Sequence, residues 1–158
     1  MRLDFSVAVH SLLYLEQKQP AVISSRELAV SMTTNPVMIR NILSVLHKQH
    51  YIRGVVGKNG GYQLDRTLAE INVGELYDLT IPPTISYARF TTGNTEASGA
   101  GSDISRNIEA TLTDLFTLAD EGYRAFYHQF TMADLKQDIA QHGYFKQIAR
   151  LPYQGGTE

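Results

Sequence analysis

Two predicted helix starts and a glycine-rich turn lie close together between residues 24 and 64, and they restrict the fold more than any other feature. Ser24 and Glu27 have the spacing of a capping box. Asn35 followed by Pro36 is typical of a second helix start, because asparagine caps well and proline is tolerated at the first helical position. Two short helices separated by a short polar break indicate a helix-turn-helix.

The residues that follow favour a β-hairpin. A β-branched run over residues 51–56 leads into the turn 57–61, whose glycines tolerate positive φ, and residues 62–64 can return as a second strand. An amphipathic segment, Leu3 to Gln17, precedes the helix-turn-helix and predicts another helix. Three helices followed by a basic-tipped hairpin predict a mainly α fold with a small β-wing, a winged helix-turn-helix.

Beyond the hairpin the sequence predicts three more helices. The first covers about residues 73–79 after the cap Asn72, and the second runs from about Ile104 to Phe130. At 1.5 Å per residue the second would be roughly 40 Å long, more than a small domain can cover. A final helix would begin at the cap Thr131. Its apolar residues are Leu135, Ile139, Tyr144, Phe145 and Ile148.

These elements predict three regions. Residues 1–80 would form the winged helix, residues 81–103 a linker that includes a mobile loop, and residues 104–151 a helical arm. The N-terminus lacks the apolar stretch of a signal peptide and no long apolar run occurs, so we expect a cytoplasmic protein with no membrane partner.

Charge is distributed unevenly along the chain, although its formal net value is only −2. Residues 24–66 contain six basic and two acidic residues, a local net charge of +4. Residues 81–158 contain six basic and nine acidic residues, a net charge of −3. The sequence therefore predicts a basic working surface on the winged helix.

Several classes of site lack their residues. The chain has no cysteine, which excludes disulfides, thiolate catalysis and thiolate-bound metals. The turn 57–61 does not match a phosphate-binding loop, and no hydrolase or metalloprotease motif is present. His47 and His50 are three residues apart without a third ligand nearby. We therefore expect neither an enzyme nor a metal or other cofactor.

Double-stranded DNA is the partner that these features favour. The third helix would read bases, since Arg40 lies opposite the predicted buried face of Leu43 and Leu46. Arg53 and Arg2 would add phosphate contacts. Thr33, Thr34 and Asn35 also fit plain turn and cap roles, and for Asn35 we favour the cap. The candidate DNA-binding residues are Ser24, Arg26, Thr33, Thr34, Asn35, Val37, Arg40, Asn41, Lys48, Lys58 and Asn59.

Several motifs together resemble the Rrf2 family of bacterial winged-helix transcriptional regulators. The chain has Asp4 and Val7 in a D-x-x-V pattern, residues 24–29 reading SSRELA, residues 35–40 reading NPVMIR, and residues 60–64 reading GGYQL before Arg66. The third and fourth of these motifs, residues 35–40 and 60–64, are fairly specific in combination. The resemblance extends in outline to the long helix, so it spans most of the chain.

The resemblance implies a homodimer, and a repressor is the role that we expect. The long helices would cross, and two heads about 34 Å apart would bind an imperfect palindrome. The N-terminal half of the third helix, centred on Val37 and Arg40, would enter the major groove, with Lys58 and Asn59 at the wing tip. The dimer seam would comprise Ile108, Leu112, Leu115, Ala119, Tyr123 and Phe126.

Two departures from the family pattern are informative. Val56 stands where the family wing usually has an arginine that reaches the minor groove, so that contact either is absent or passes to Lys58. Members that carry an iron–sulfur cluster place three cysteines in the loop matching about residues 84–106, where this chain has none. The signal would be a small molecule, a protein partner or nothing. Tyr87, Phe90, Tyr123 and Tyr127 are conceivable pocket residues.

One alternative from another class remains open at this point. A winged helix can bind a protein partner through its wing instead of nucleic acid. The chain would then be a protein-interaction module without DNA-binding activity, and a salt-dependent shift with genomic DNA fragments separates the two.

Overall fold

The computed structural model describes residues 3–81 and 103–143. Within these ranges the chain forms six α-helices, one short 3-10 helix and a two-stranded antiparallel sheet. The elements are α1 (Leu3–Gln17), α2 (Ser25–Ser31), α3 (Pro36–Lys48), β1 (Ile52–Val55), β2 (Gly61–Leu64), the 3-10 helix (Leu68–Glu70), α4 (Val73–Thr80), α5 (Asp103–Tyr127) and α6 (Met132–Gln141). The predicted winged helix, mainly α with a small wing, is confirmed.

Side chains cap four helices where the sequence predicts them. The capped helices are α2, α3, α4 and α6, and backbone amides of their first turns donate to the side-chain oxygens at 2.8–3.3 Å. The capping residues are Ser24, Asn35, Asn72 and Thr131. Thr131 and Asp134 form a complete capping box. At α2 the return bond is absent, because the Glu27 carboxylate accepts from the Tyr14 hydroxyl at 3.1 Å instead.

A single apolar core holds α1, α3, α4 and the wing together. Leu12 of α1, Leu43 and Leu46 of α3 and Leu76 of α4 are all fully buried in it. Because these side chains recur at helical spacing, each helix presents one face to the core and the other to solvent. The orientation of α3 follows from this packing.

The long helix ends earlier than the sequence predicts. Its last residue is Tyr127 and not Phe130. Phe130 is only 3% exposed, and its carbonyl accepts from the Val73 amide at 2.9 Å. The chain has to reverse direction before Thr131 can cap α6, so the apolar spacing continues three residues beyond the helix itself. The predicted C-terminal end of this helix is therefore wrong.

Some expectations fall outside the described residues. They concern most of the linker with Tyr87 and Phe90, and the part of the final helix that would contain Tyr144, Phe145 and Ile148. The division into winged helix, linker and arm stays a prediction. None of the helices in the described ranges is both long and apolar enough to cross a membrane.

Candidate nucleic-acid interface

Helix α3 turns an exposed polar face away from the core. Ile39, Ile42, Leu43 and Leu46 are buried on its inner side. The outer side begins with Val37, which is 53% exposed. Arg40, Asn41, Ser44 and Lys48 are exposed on this helix as well. The packing of α3 thus presents Arg40 to solvent, as the sequence predicts.

Four exposed basic side chains are available for anions. Arg26 on α2, Arg40 and Lys48 on α3, and Lys58 in the wing turn make no hydrogen bond or ion pair within the part of the chain that the structure describes. They lie on the three segments that make up the helix-turn-helix and wing. The charge asymmetry of the sequence therefore corresponds to a real, uncompensated basic surface.

Four of the candidate DNA-binding residues have structural roles. Ser24 and Asn35 cap α2 and α3, so their side-chain oxygens already accept backbone amides. Thr33 adopts a positive φ of 49° in the turn between the helices. The Thr34 hydroxyl contacts the Met38 sulfur at 3.9 Å. These residues shape the entry to α3, and the cap role that the sequence favours for Asn35 is the one observed.

The wing is a hairpin attached to the chain segment before α2. Strand β1 pairs with β2 from Ile52↔Leu64 to Val55↔Gly61, and β2 in turn forms an isolated bridge between Tyr62 and Ile23. The turn between the strands exposes Lys58 and Asn59 to solvent. The wing therefore lies beside the helix-turn-helix, is anchored by this strand pairing, and exposes its basic tip to solvent.

A cluster behind the wing contains residues that sequence reasoning does not assign. The Tyr51 hydroxyl donates to Glu75 at 3.3 Å, and the Arg66 guanidinium lies 5.0 Å from the centre of the Tyr51 ring. Burial raises the pKa of Tyr51, and the Glu75 carboxylate raises it further, while Arg66 partly opposes the effect. Because 24 residues separate Tyr51 from Glu75, no local spacing could have paired them.

The C-terminal end of the long helix is held to α4 by side-chain contacts. Tyr77 of α4 stacks on Tyr127 of α5 with ring centroids 4.4 Å apart. Arg124 forms ion pairs with Asp78 and, at 2.8 Å, with Asp120. The hydrogen bond to Asp120 is the main cause that raises the pKa of Arg124. Together these contacts determine the angle at which α5 leaves the winged helix.

A glycine lets His128 complete this junction. The His128 imidazole Nε2 lies 2.9 Å from an Asp78 carboxylate oxygen. The ring rests against Gly74, where a Cβ atom would overlap it. A larger residue at position 74 would therefore separate α4 from the end of α5.

The predicted seam residues do not all face the same way. Leu115, Ala119 and Tyr123 are exposed, whereas Phe126 is half-buried and packs on Phe130 with ring centroids 5.3 Å apart. Ile108 and Leu112 are also half-buried. The exposed group extends along α5 to three further exposed or half-exposed residues, Leu118, Gly122 and Ala125.

Comparisons with known proteins agree on the architecture. Residues 2–138 match the Rrf2 family, described as iron-dependent transcriptional regulators. A crystal structure from Lactobacillus plantarum, described as that of a candidate transcriptional regulator, is 65% identical, covers 93% of this chain and 96% of its own, and has a TM-score of 0.83. No curated protein matches the chain in sequence.

Two more distant structures share the fold. IscR of T. potens is 18% identical, with a TM-score of 0.62, and the match covers 92% of this chain and 95% of that one. CymR, the global cysteine regulator of B. subtilis, is 14% identical, with a TM-score of 0.54, and the match covers 87% and 95%.

The residues of this chain do not fit the iron that the family description implies. Soft thiolates hold iron–sulfur clusters, and this chain has no cysteine. In the ranges 3–81 and 103–143, moreover, no three histidine or carboxylate side chains come close enough together to hold a metal ion. The described residues therefore offer no set of ligands for the iron that the family description implies.

The family match covers nearly the whole chain, and the 65% identical structure covers almost all of it as well. The described residues contain the winged helix that this match implies, with an exposed basic face on α3 and in the wing. The chain belongs to the Rrf2 family of transcriptional regulators.

Proposed function

We propose that this regulator represses transcription as a homodimer bound to an imperfect palindrome in double-stranded DNA. The observation that carries the proposal is the outer face of α3, where Arg40, Asn41 and Lys48 are exposed. Lys58 extends the same positive surface onto the wing. Such a helix fits the major groove, which is about 12 Å wide.

The exposed side chains divide into two roles. Arg40 and Asn41 have the donor geometry to bond base edges, and arginine pairs best with the two acceptors of guanine. Val37 offers methyl groups to a thymine methyl. Four residues neutralise phosphates without reading sequence. They are Arg26, Lys48, Arg53 and Lys58.

Helix α5 supports the homodimer. It contains 25 residues, and its exposed apolar face of Leu115, Leu118, Ala119, Gly122 and Ala125 has no cover within the described residues. A second copy would bury this face by symmetry, and small residues at its centre allow two helices to approach closely. Phe126 would stay in the core of its own subunit, so this seam is narrower than the one that the sequence predicts.

Salt dependence tests the proposal directly. Genomic fragments from the source organism retained by the full-length protein would be footprinted, and the recovered site titrated by fluorescence anisotropy at 50–200 mM salt. Four phosphate contacts per subunit predict a slope of about −7 in a plot of log affinity against log salt concentration. Failure to retain any fragment at low salt would contradict DNA binding and favour a protein-interaction module.

Alanine variants at Lys58 and Lys136 provide a test and its matched control in the same titration. Lys58→Ala should weaken binding to all sequences alike and flatten the slope by about one unit per wing. Lys136, an exposed lysine of α6 that pairs with Glu16 at 2.6 Å, lies outside the winged helix, so Lys136→Ala should leave the slope unchanged. An unchanged slope in Lys58→Ala would place the wing tip away from DNA.

A further inference from the structure

Val56 is an unusual residue for the tip of a basic wing. Its side chain is 100% exposed, more than any other large apolar side chain in the described ranges. It follows directly after β1 and precedes the turn that contains Lys58 and Asn59. A valine cannot bond a phosphate or a base edge, so its contribution at this position has to come from shape and apolar contact.

Val56 lies just beyond a strand that packs against the core and α3. Side chains two residues apart on a strand share a face, so Ile52 and Gly54 lie on one side of β1. Ile52 is buried, and a Cβ atom at Gly54 would lie 3.7 Å from the His47 imidazole of α3. Val56 is the first residue after β1, and its side chain is fully exposed at the start of the turn.

The turn holds Val56 in its outward position. Gly57 has a positive φ of 133°, which an L-residue rarely adopts, and the Gly60 amide donates to the Gly57 carbonyl at 3.0 Å. A Cβ atom at Gly60 would collide with the carbonyl oxygen of Val55. The chain reverses tightly immediately after Val56, so the valine has no apolar surface on which to fold back.

We propose that Val56 is a specificity-determining residue that packs against the sugar walls of the minor groove at A·T base pairs. The inference rests on the proposed DNA binding and goes beyond it, because it assigns the wing a preference that its charge alone does not provide. Apolar side chains do enter the minor groove in other DNA-binding proteins. Lys58 and Asn59 follow Val56 in the same turn, where Lys58 would contact a phosphate and Asn59 would supply the polar contact to the base.

The preference for A·T pairs follows from hydrogen bonding. An A·T pair presents only acceptors in the minor groove, and the Asn59 amide can donate to them. A G·C pair adds the exocyclic amino group of guanine, a donor that Val56 cannot satisfy. Burying that donor beneath two methyl groups would leave it without a partner, which is unfavourable.

The test uses the full-length protein and the duplex recovered by footprinting. In the minor-groove steps that the wing protects, A·T pairs would be replaced by G·C or by I·C pairs. Inosine lacks the exocyclic amino group, so I·C restores the minor groove of an A·T pair without restoring its major groove. Wild-type protein should bind the G·C duplex about fourfold more weakly per wing, and the I·C duplex as tightly as the original.

Val56→Thr keeps the shape of the side chain and replaces one methyl group with a hydroxyl. This variant should bind the original duplex about fourfold more weakly per wing, because a buried methylene-sized group contributes about that factor. It should also lose the discrimination between G·C and I·C, with no change in salt slope. Ile139→Thr, at an exposed β-branched residue of α6, is the matched control and should behave as wild type.

The outcomes separate this inference from the proposed function. If the wild-type protein binds no DNA, both are overturned. If it binds DNA but does not distinguish G·C from I·C, only the role of Val56 is overturned. The role of Val56 is also overturned if Val56→Thr still distinguishes G·C from I·C. That result is expected if the valine contacts a protein partner and not DNA.

Discussion

Individual residues of one type serve different purposes in this protein, and two arginines show it well. Arg40 is exposed on α3 and engages no other described side chain. Arg66 donates to the Gln49 carbonyl at 3.3 Å and covers the Tyr51 ring. Formal charge counts them equally, although only Arg40 is free to contact DNA.

Arg40→Ala should therefore reduce both affinity and specificity. We expect a loss of about 1–3 kcal/mol on the cognate site and a relaxed preference at one base step, because a bidentate contact would be removed. Binding selection from a randomised site, followed by sequencing, measures both effects. Stability should change little, since the exposed side chain makes no hydrogen bond or ion pair with the described residues.

Arg66→Ala is the control for this prediction. It should lower the melting temperature by removing the Tyr51 and Gln49 contacts, and it should leave base preference unchanged. An Arg40→Ala protein that selects the same sites as the wild type would show that Arg40 reads no base.

At the level of secondary-structure elements, the position of the wing depends on Gly61 having no side chain. A Cβ atom at Gly61 would collide with the backbone of Ile23, which pairs with Tyr62 beside it. Gly61→Ala should therefore displace β2 and destabilise the protein by about 1–3 kcal/mol, the range typical of overpacking. Chemical denaturation monitored by circular dichroism measures this loss.

Gly54→Ala provides a control in the same hairpin. A Cβ atom at Gly54 would meet only the His47 ring at an ordinary distance of 3.7 Å. Replacing this glycine restricts the unfolded chain, so stability should be unchanged or slightly higher. Equal destabilisation by the two variants would mean that the Ile23 contact does not determine the position of the wing.

Local signals in the sequence predicted the elements well. Caps depend on residues only two or three positions apart, so Asn35 and Thr131 could be recognised without the fold. The 3-10 helix 68–70 was missed, although Thr67 and Glu70 close a capping box there. Hydrogen bonds from the Thr67 hydroxyl and amide lower the pKa of Glu70. A count of the acidic residues in the sequence does not reveal this structural role.

Tertiary features could not be predicted in this way. Helical spacing identifies an apolar stripe on α5 but cannot say which of its residues are covered by the same chain. Phe130 continues the stripe and belongs to the core, and Phe126 packs against that core, whereas Leu115 is exposed. The ion pair of Asp78 with Arg124 joins residues 46 positions apart, so only the fold reveals that α5 is held to α4.

For the whole molecule, the junction between α4 and α5 connects the winged helix to the long helix. Three contacts hold α4 to the end of α5. Tyr77 stacks on Tyr127, and Asp78 pairs with Arg124 and with His128. The His128 ring in turn rests against Gly74. In a homodimer joined through α5, this rigid junction would set the distance between the two α3 helices. Half-site spacing would then be determined by packing far from the DNA.

Leu118→Glu tests whether the two heads act together. Leu118 is 66% exposed on α5, so a carboxylate there should leave the subunit folded but be buried and repelled by its own symmetry mate in a dimer. Sedimentation should show a monomer with unchanged helicity, and affinity for the palindrome should fall about 100-fold, because two linked half-site contacts become independent. Ile139→Glu, at a 62% exposed residue of α6, should remain dimeric and bind normally. A dimeric Leu118→Glu protein would place the seam elsewhere, and a monomeric one with full affinity would show that a single head suffices for binding.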